Sequence, residues 1–128
     1  MPSDHVAVVR SWLDARARGA FDDAVALMSE DVRWHSPVEG EQRGRRAARQ
    51  QLETAERDTA AFESAVRSVR SRPDGRVVAF VRNVGVRNGS VLDSEKALVF
   101  TVAEGAVSEV RIHVDDVDEV RAFWDDEA

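Results

Sequence analysis

Apolar residues recur at three- and four-residue intervals in the N-terminal part of the chain and at every second position later on. In "SDHVAVVRSWLDARARG", Val6, Val9, Trp12 and Leu13 share one stripe, the spacing of an amphipathic helix. Ser3 or Asp4 caps its start and Gly19 ends it. "FDDAVALMSED" predicts a second, short helix with Phe21, Val25 and Met28 on a common side. A short strand is expected over Val32 to Ser36, broken at Pro37 and Gly40. "GRRAARQQLETAERD" predicts a third helix, polar over much of its surface, with Ala48 and Leu52 facing inward.

After residue 59 the period changes. "AAFESAVRSVRSR" partly alternates and stops at "PDG", a turn signal. "RVVAFVRNVGVR" follows, then the hairpin dipeptide Asn88-Gly89. "SVLDSEKALVFTVA" and "AVSEVRIHV", joined at "EG", complete four strands, and "DDVDEVRAFW" predicts a closing helix capped by Asp115 or Asp116. Helices first and hairpin-linked strands afterwards predict an α+β fold with one curved antiparallel sheet. No repeat or linker divides the chain, so residues 1–128 are expected to form one domain.

Composition narrows the chemistry. The 128 residues contain no cysteine, which removes disulfides, thiolate catalysis and Cys-ligated zinc. The three histidines, His5, His35 and His113, are far apart and show no metal-binding spacing, so neither a metal nor a cofactor is expected. A net charge of −6 speaks against a nucleic-acid partner, and the basic cluster Arg43 to Arg49 reads as a solvated helix face. No apolar run approaches a membrane span, no segment reads as a signal peptide, and the cytoplasm is the expected location. The eighteen basic residues include a single lysine, Lys96; this arginine bias reads as composition rather than mechanism.

The order of elements, together with "ARGAFDDAVALMSEDVRWHSPVEG", Arg43-Gly44, "ALVFTVAEGAVSEVRIHVDD" and "VRAFW", resembles the NTF2-like superfamily, in its SnoaL-like and ketosteroid-isomerase-like branch. The resemblance covers essentially the whole chain. It implies a cystatin-like cone in which three N-terminal helices close a curved sheet over an apolar pocket. It also implies pairing into a homodimer through the outer sheet face, and a small hydrophobic molecule as partner. One such fold hosts many activities. Ketosteroid isomerase, a standard example of tuned carboxyls, uses an Asp base with a Tyr and a protonated Asp as oxyanion hole. Those three roles fall on Trp12, on Ser36, and near Ala97 or Leu98, and the chain has no tyrosine. Steroid-isomerase chemistry of that type is therefore excluded.

What replaces it is sought among the neighbours of those positions. His35 stands beside the vacated base position, and histidine is a natural general base. Strand alternation, however, sets Trp34 and Ser36 on one face and Arg33 and His35 on the other unless a bulge re-aims His35. Val110, Ile112 and Val114 match the pocket-lining set of the family, leaving Arg111 and His113 outward. In the opposite register, Arg111, His113 and Asp115 become the polar floor of the pocket. The expected catalytic groups are His35 and Asp115. Trp12, Arg16, Trp34, Ser36, Asn83, Leu98, Val110 and Ile112 are expected to bind substrate. The function this supports is a cofactor-independent isomerase, cyclase or hydrolase that moves protons on a hydrophobic cyclic substrate. The alternatives are a non-catalytic binding module and a structural dimeric subunit whose pocket is filled by its own side chains.

Overall fold

The computed structural model of the chain describes residues 2–37, 40–58, 61–87, 89–114 and 118. Its elements run α1 (Pro2–Ala17), α2 (Phe21–Ala26), β1 (Met28–Ser36), β2 (Gly40–Arg43), α3 (Arg45–Asp58), β3 (Ala61–Ser71), β4 (Val77–Arg87), β5 (Ser90–Ala103) and β6 (Ala106–Val114). The three helices and the four long strands fall where the periodicity places them. Two boundaries differ. The second helix ends at Ala26, and Met28 already belongs to a strand longer than expected. Gly40–Arg43 forms an additional short strand, whose polar sequence carries no apolar alternation to betray it. The closing helix expected after Val114 lies outside the described residues, apart from Asp118.

The six strands form one sheet in the order β2-β1-β6-β5-β4-β3. All pairings are antiparallel except β1 with β6, which is parallel. The sheet is therefore mixed, an α+β arrangement in which the helices cover one face. Val9, Trp12 and Leu13 of α1, Ala24 of α2, and Ala48 and Leu52 of α3 pack onto Val32 and Trp34 of β1 and Val77, Ala79 and Val81 of β4. Leu98 and Phe100 of β5 and Val107 and Val110 of β6 complete the cluster. Because strand side chains alternate, this same register sends Arg33, His35, Phe80, Glu109 and Arg111 to the opposite, open face.

Two ties fix the helices on the sheet. His5 Nδ1–H donates to the Gly75 carbonyl at 2.8 Å, fastening α1 to the β3–β4 turn. The Arg45 guanidinium donates two bonds to the Met28 carbonyl, at 2.9 and 2.6 Å, fastening the start of α3 to β1. Between β2 and α3 the chain turns at Gly44, whose φ of 93° only glycine adopts without strain.

Candidate functional site

The covered face has two chemically distinct ends. At one, Trp12, Trp34 and Phe100 form an aromatic cluster. Trp12 meets Phe100 edge-on with ring centroids 5.3 Å apart, and Trp34 lies 6.1 Å from Trp12 at a tilt. Trp12 and Phe100 are fully buried, so this end is filled by the protein itself. The Trp12 indole N–H is also buried and has no hydrogen-bond partner among the described residues. Leaving such a donor unpaired costs on the order of 1–3 kcal/mol.

The other end is cationic. Arg16 follows Trp12 by one helical turn, about 6 Å along the axis. On β5, Phe100, Leu98, Lys96 and Ser94 alternate inward, opposite Val77, Ala79, Val81 and Asn83 of β4. Lys96 thus stands about 13 Å along the strand from Phe100, within reach of the Arg16 charge. Burial pushes the Lys96 ammonium well below the usual lysine range, and the charge of Arg16 pushes it further. Burial alone lowers Arg16 to about 10. The effect is one-sided because Lys96 gives up its proton first and is already neutral where Arg16 titrates. Both side chains are strongly desolvated, yet both residues keep some accessible surface. Groups in that condition line a recess rather than the outer surface. Ile112 and Val114, inward on β6 beside Leu98 and Lys96, are half-buried as well, whereas Val110 beside Phe100 is fully buried. Lys96 and Val114 border a recess, so accessible space reaches this end of the strands.

His35 requires a correction. The irregularity in the β1–β6 pairing falls between Met28 and Arg33; from there Arg33, Trp34 and His35 step regularly against Glu109, Val110 and Arg111. No bulge re-aims His35, so it lies on the open face, opposite Trp34, and not at the pocket wall. There its Nε2 bonds the Glu109 carboxylate at 2.8 Å. Arg33 and Arg111 approach the same oxygen at 3.3 and 3.5 Å, and Thr101 Oγ1 donates to its other oxygen at 3.4 Å. Burial would raise the Glu109 carboxyl. The His35 hydrogen bond and the charges of Arg33 and Arg111 outweigh it and hold the group below its ordinary value. The Glu109 side chain is only 6% exposed because these partners roof it over, just beneath the surface. His113 and Arg111 are exposed on this face too, which settles the register of β6 with Val110, Ile112 and Val114 inward.

Of the other expected site residues, Trp12, Arg16, Trp34, Asn83, Leu98, Val110 and Ile112 all belong to the covered face. Ser36 is half-buried at the end of β1. Asp115 lies outside the described residues. Lys96 is the addition. Its signal was present in the sequence: one lysine among eighteen basic residues, in alternation with Leu98 and Phe100. Among the described residues no group of three or more His, Asp or Glu could hold a metal ion. No described helix is long and apolar enough to cross a membrane.

A recess of about 220 Å³ takes in Lys96, Val81 and Val114 together with Arg67, Phe80, Glu95, Ala97 and His113. Phe80 is 49% exposed there, the most prominent aromatic surface among the described residues.

Comparison with known proteins places this geometry. Residues 9–110 match the family model of the SnoaL-like domain. Among solved structures, Bal32a from a soil-derived mobile gene cassette is 28% identical, with a TM-score of 0.90 over 95% of this chain and 97% of that one. A putative polyketide cyclase from Xanthomonas campestris pv. campestris is 21% identical, with a TM-score of 0.76 over 94% and 96%. An epoxide hydrolase of the LEH-like type from M. tuberculosis is 17% identical, with a TM-score of 0.76 over 95% and 90%. A search of curated proteins finds no match.

Proposed function

Because the chain belongs to the SnoaL-like domain family, we propose that it is a cofactor-independent small-molecule enzyme, acting by general acid/base catalysis on a hydrophobic cyclic substrate held against the covered face. One observation carries this reading: the desolvated Lys96 amine, beside Arg16, at the accessible end of an aromatic-lined interior. A lysine is a useful base near neutral pH only when its surroundings favour the neutral form, and both of its surroundings do.

The roles follow from the chemistry of each group. Lys96 Nζ takes a proton from a carbon or hydroxyl of the substrate. Arg16, fixed on the same side, stabilises the oxyanion left behind, where a preorganised cation in a dry site is most effective. The ammonium so formed sits desolvated beside a second cation and is a strong acid, so it hands the proton back. Trp34, Leu98, Val110 and Ile112 supply the apolar wall. Asn83 and Ser36 orient polar substituents. Similar folds are described as a putative polyketide cyclase and an epoxide hydrolase, which supports small-molecule chemistry without fixing the reaction.

The test is solvent hydrogen exchange. A panel of cyclic ketones in D2O should exchange α-protons in the presence of the protein, with tryptophan fluorescence reporting binding. Lys96→Met should abolish exchange and keep the fluorescence response. A fluorescence response without any exchange would leave a binding module.

The open face completes the proposal as the contact of a homodimer, supported by exposed Phe80 in the recess shared with Ala97 and His113. Phe80→Glu should convert a dimer to a monomer by sedimentation; a wild-type monomer at micromolar concentration removes this part.

A further inference from the structure

Lys96 has more to offer than a proton site. It is the single lysine in a chain with seventeen arginines, so all side-chain amine chemistry of this protein is confined to one position. The register of β5 turns that amine inward, opposite Val81 and beside Val114. Among the described residues no carboxylate is paired with it. Lys96 is half-buried and borders the recess of about 220 Å³, so a ligand entering that recess reaches it. The neighbouring cation, Arg16, is the kind of group that draws electron density from a carbonyl oxygen.

We propose that Lys96 is a nucleophilic amine that condenses with an aldehyde or ketone on an apolar cyclic ligand, seated between the aromatic cluster and Arg16, to form an imine. This rests on the reading of the covered face as a ligand cavity. The balance is closed without a co-reactant. The Nζ lone pair attacks the carbonyl carbon, and the C=O π pair moves to oxygen, next to Arg16. Proton transfer from nitrogen gives the neutral carbinolamine. The C–O bond then breaks, the oxygen leaves as water with both amine protons, and the C=N bond remains. Arg16 has two effects of the same sign: it disfavours the ammonium, keeping the lone pair available, and it stabilises the oxyanion of the first addition.

The uniqueness of the lysine makes the test clean. The native protein is incubated at pH 7 with 2-naphthaldehyde, an apolar bicyclic probe, and sodium cyanoborohydride, which delivers hydride to the imine carbon and fixes it as a secondary amine. Nα-acetyl-lysine in the same solution is the reference, and peptide mass mapping separates Lys96 from the chain's α-amine. An ordinary lysine is neutral in only about one molecule in 2,500 at this pH. Lys96 should therefore label at least about tenfold faster than the reference. Its rate should level off at a pH well below that at which the reference levels. Lys96→Arg should give no adduct, and Arg16→Gln should slow labelling by returning the proton to Lys96. Labelling no faster than the reference, while naphthaldehyde still quenches tryptophan fluorescence, overturns the imine and leaves the cavity reading standing. Absence of both labelling and quenching overturns the two together.

Discussion

Replacing Lys96 by methionine keeps the length of the side chain and removes its charge, and the sign of the effect on stability follows from the site. Lys96 is desolvated, faces Arg16 and has no carboxylate partner among the described residues. Its folded pKa lies below the unfolded value, so the unfolded chain binds the proton more tightly and the wild type loses stability at neutral pH. Removing an amine that must either carry an unpaired desolvated charge or give up its proton to fold should gain on the order of 1–4 kcal/mol. For a domain of this size that raises the thermal midpoint by roughly 3–15 °C. The gain should be full below the lowered folded pKa. It should shrink as pH rises through the window between that value and about 10.4, the unfolded lysine value, and vanish above it. Urea titrations of both proteins from pH 6 to 11 measure the curve. A Lys96→Met protein that is less stable than wild type, or a difference that does not change with pH, refutes the idea that folding leaves the Lys96 amine desolvated and uncompensated. A residue that costs stability and stands in the accessible end of a cavity is explained by function, since packing alone favours its removal.

The other expectations concern the open face and the filled end of the core. Glu109→Gln removes the acceptor shared by His35, Arg33 and Arg111, and should cost about 2 kcal/mol at pH 7 in urea unfolding. The carboxyl is held below its unfolded value of about 4.3, so its contribution is present above that pH and lost as pH falls through the folded value; the variant should show a flatter stability profile between pH 5 and 3. Phe100→Ala opens a hole against Trp12 and should cost about 3–5 kcal/mol, read as a lower denaturant midpoint with unchanged slope. An unchanged midpoint would mean that the aromatic end is not the packed core described here.

Much of this architecture is legible because periodicity and turn chemistry agree. Val77 to Arg87 and Ser90 to Ala103 flank Asn88-Gly89, and each strand alternates against a buried face, so both length and register are written locally. The stripe Val9, Trp12, Leu13 likewise marks the covered side of α1. What escaped was of two kinds. Gly40–Arg43 is a strand only because β1 offers it an edge, and its polar residues carry no local preference. Lys96 escaped because a charged residue in a strand normally marks the solvent side; here tertiary burial overrides that rule, and the alternation with Leu98 and Phe100 was the better guide. The face of His35 was readable from Trp34 by the same alternation, and only a bulge at that point could have changed it.

The parallel seam between β1 and β6 also bears on how the molecule is made. The first strand of the chain finds its long neighbour only in the last one, with Trp34 beside Val110. During synthesis the β3–β6 meander can assemble hairpin by hairpin, but β1 can pair locally only with the short β2, and its other edge has no partner until β6 has left the ribosome. That edge of β1 waits uncovered, and the interior that holds Trp12, Arg16 and Lys96 is completed only when β6 is in place. Ribosome-stalled chains ending before Ala106 should accordingly be protease-sensitive at β1, and chains extending past Val114 resistant.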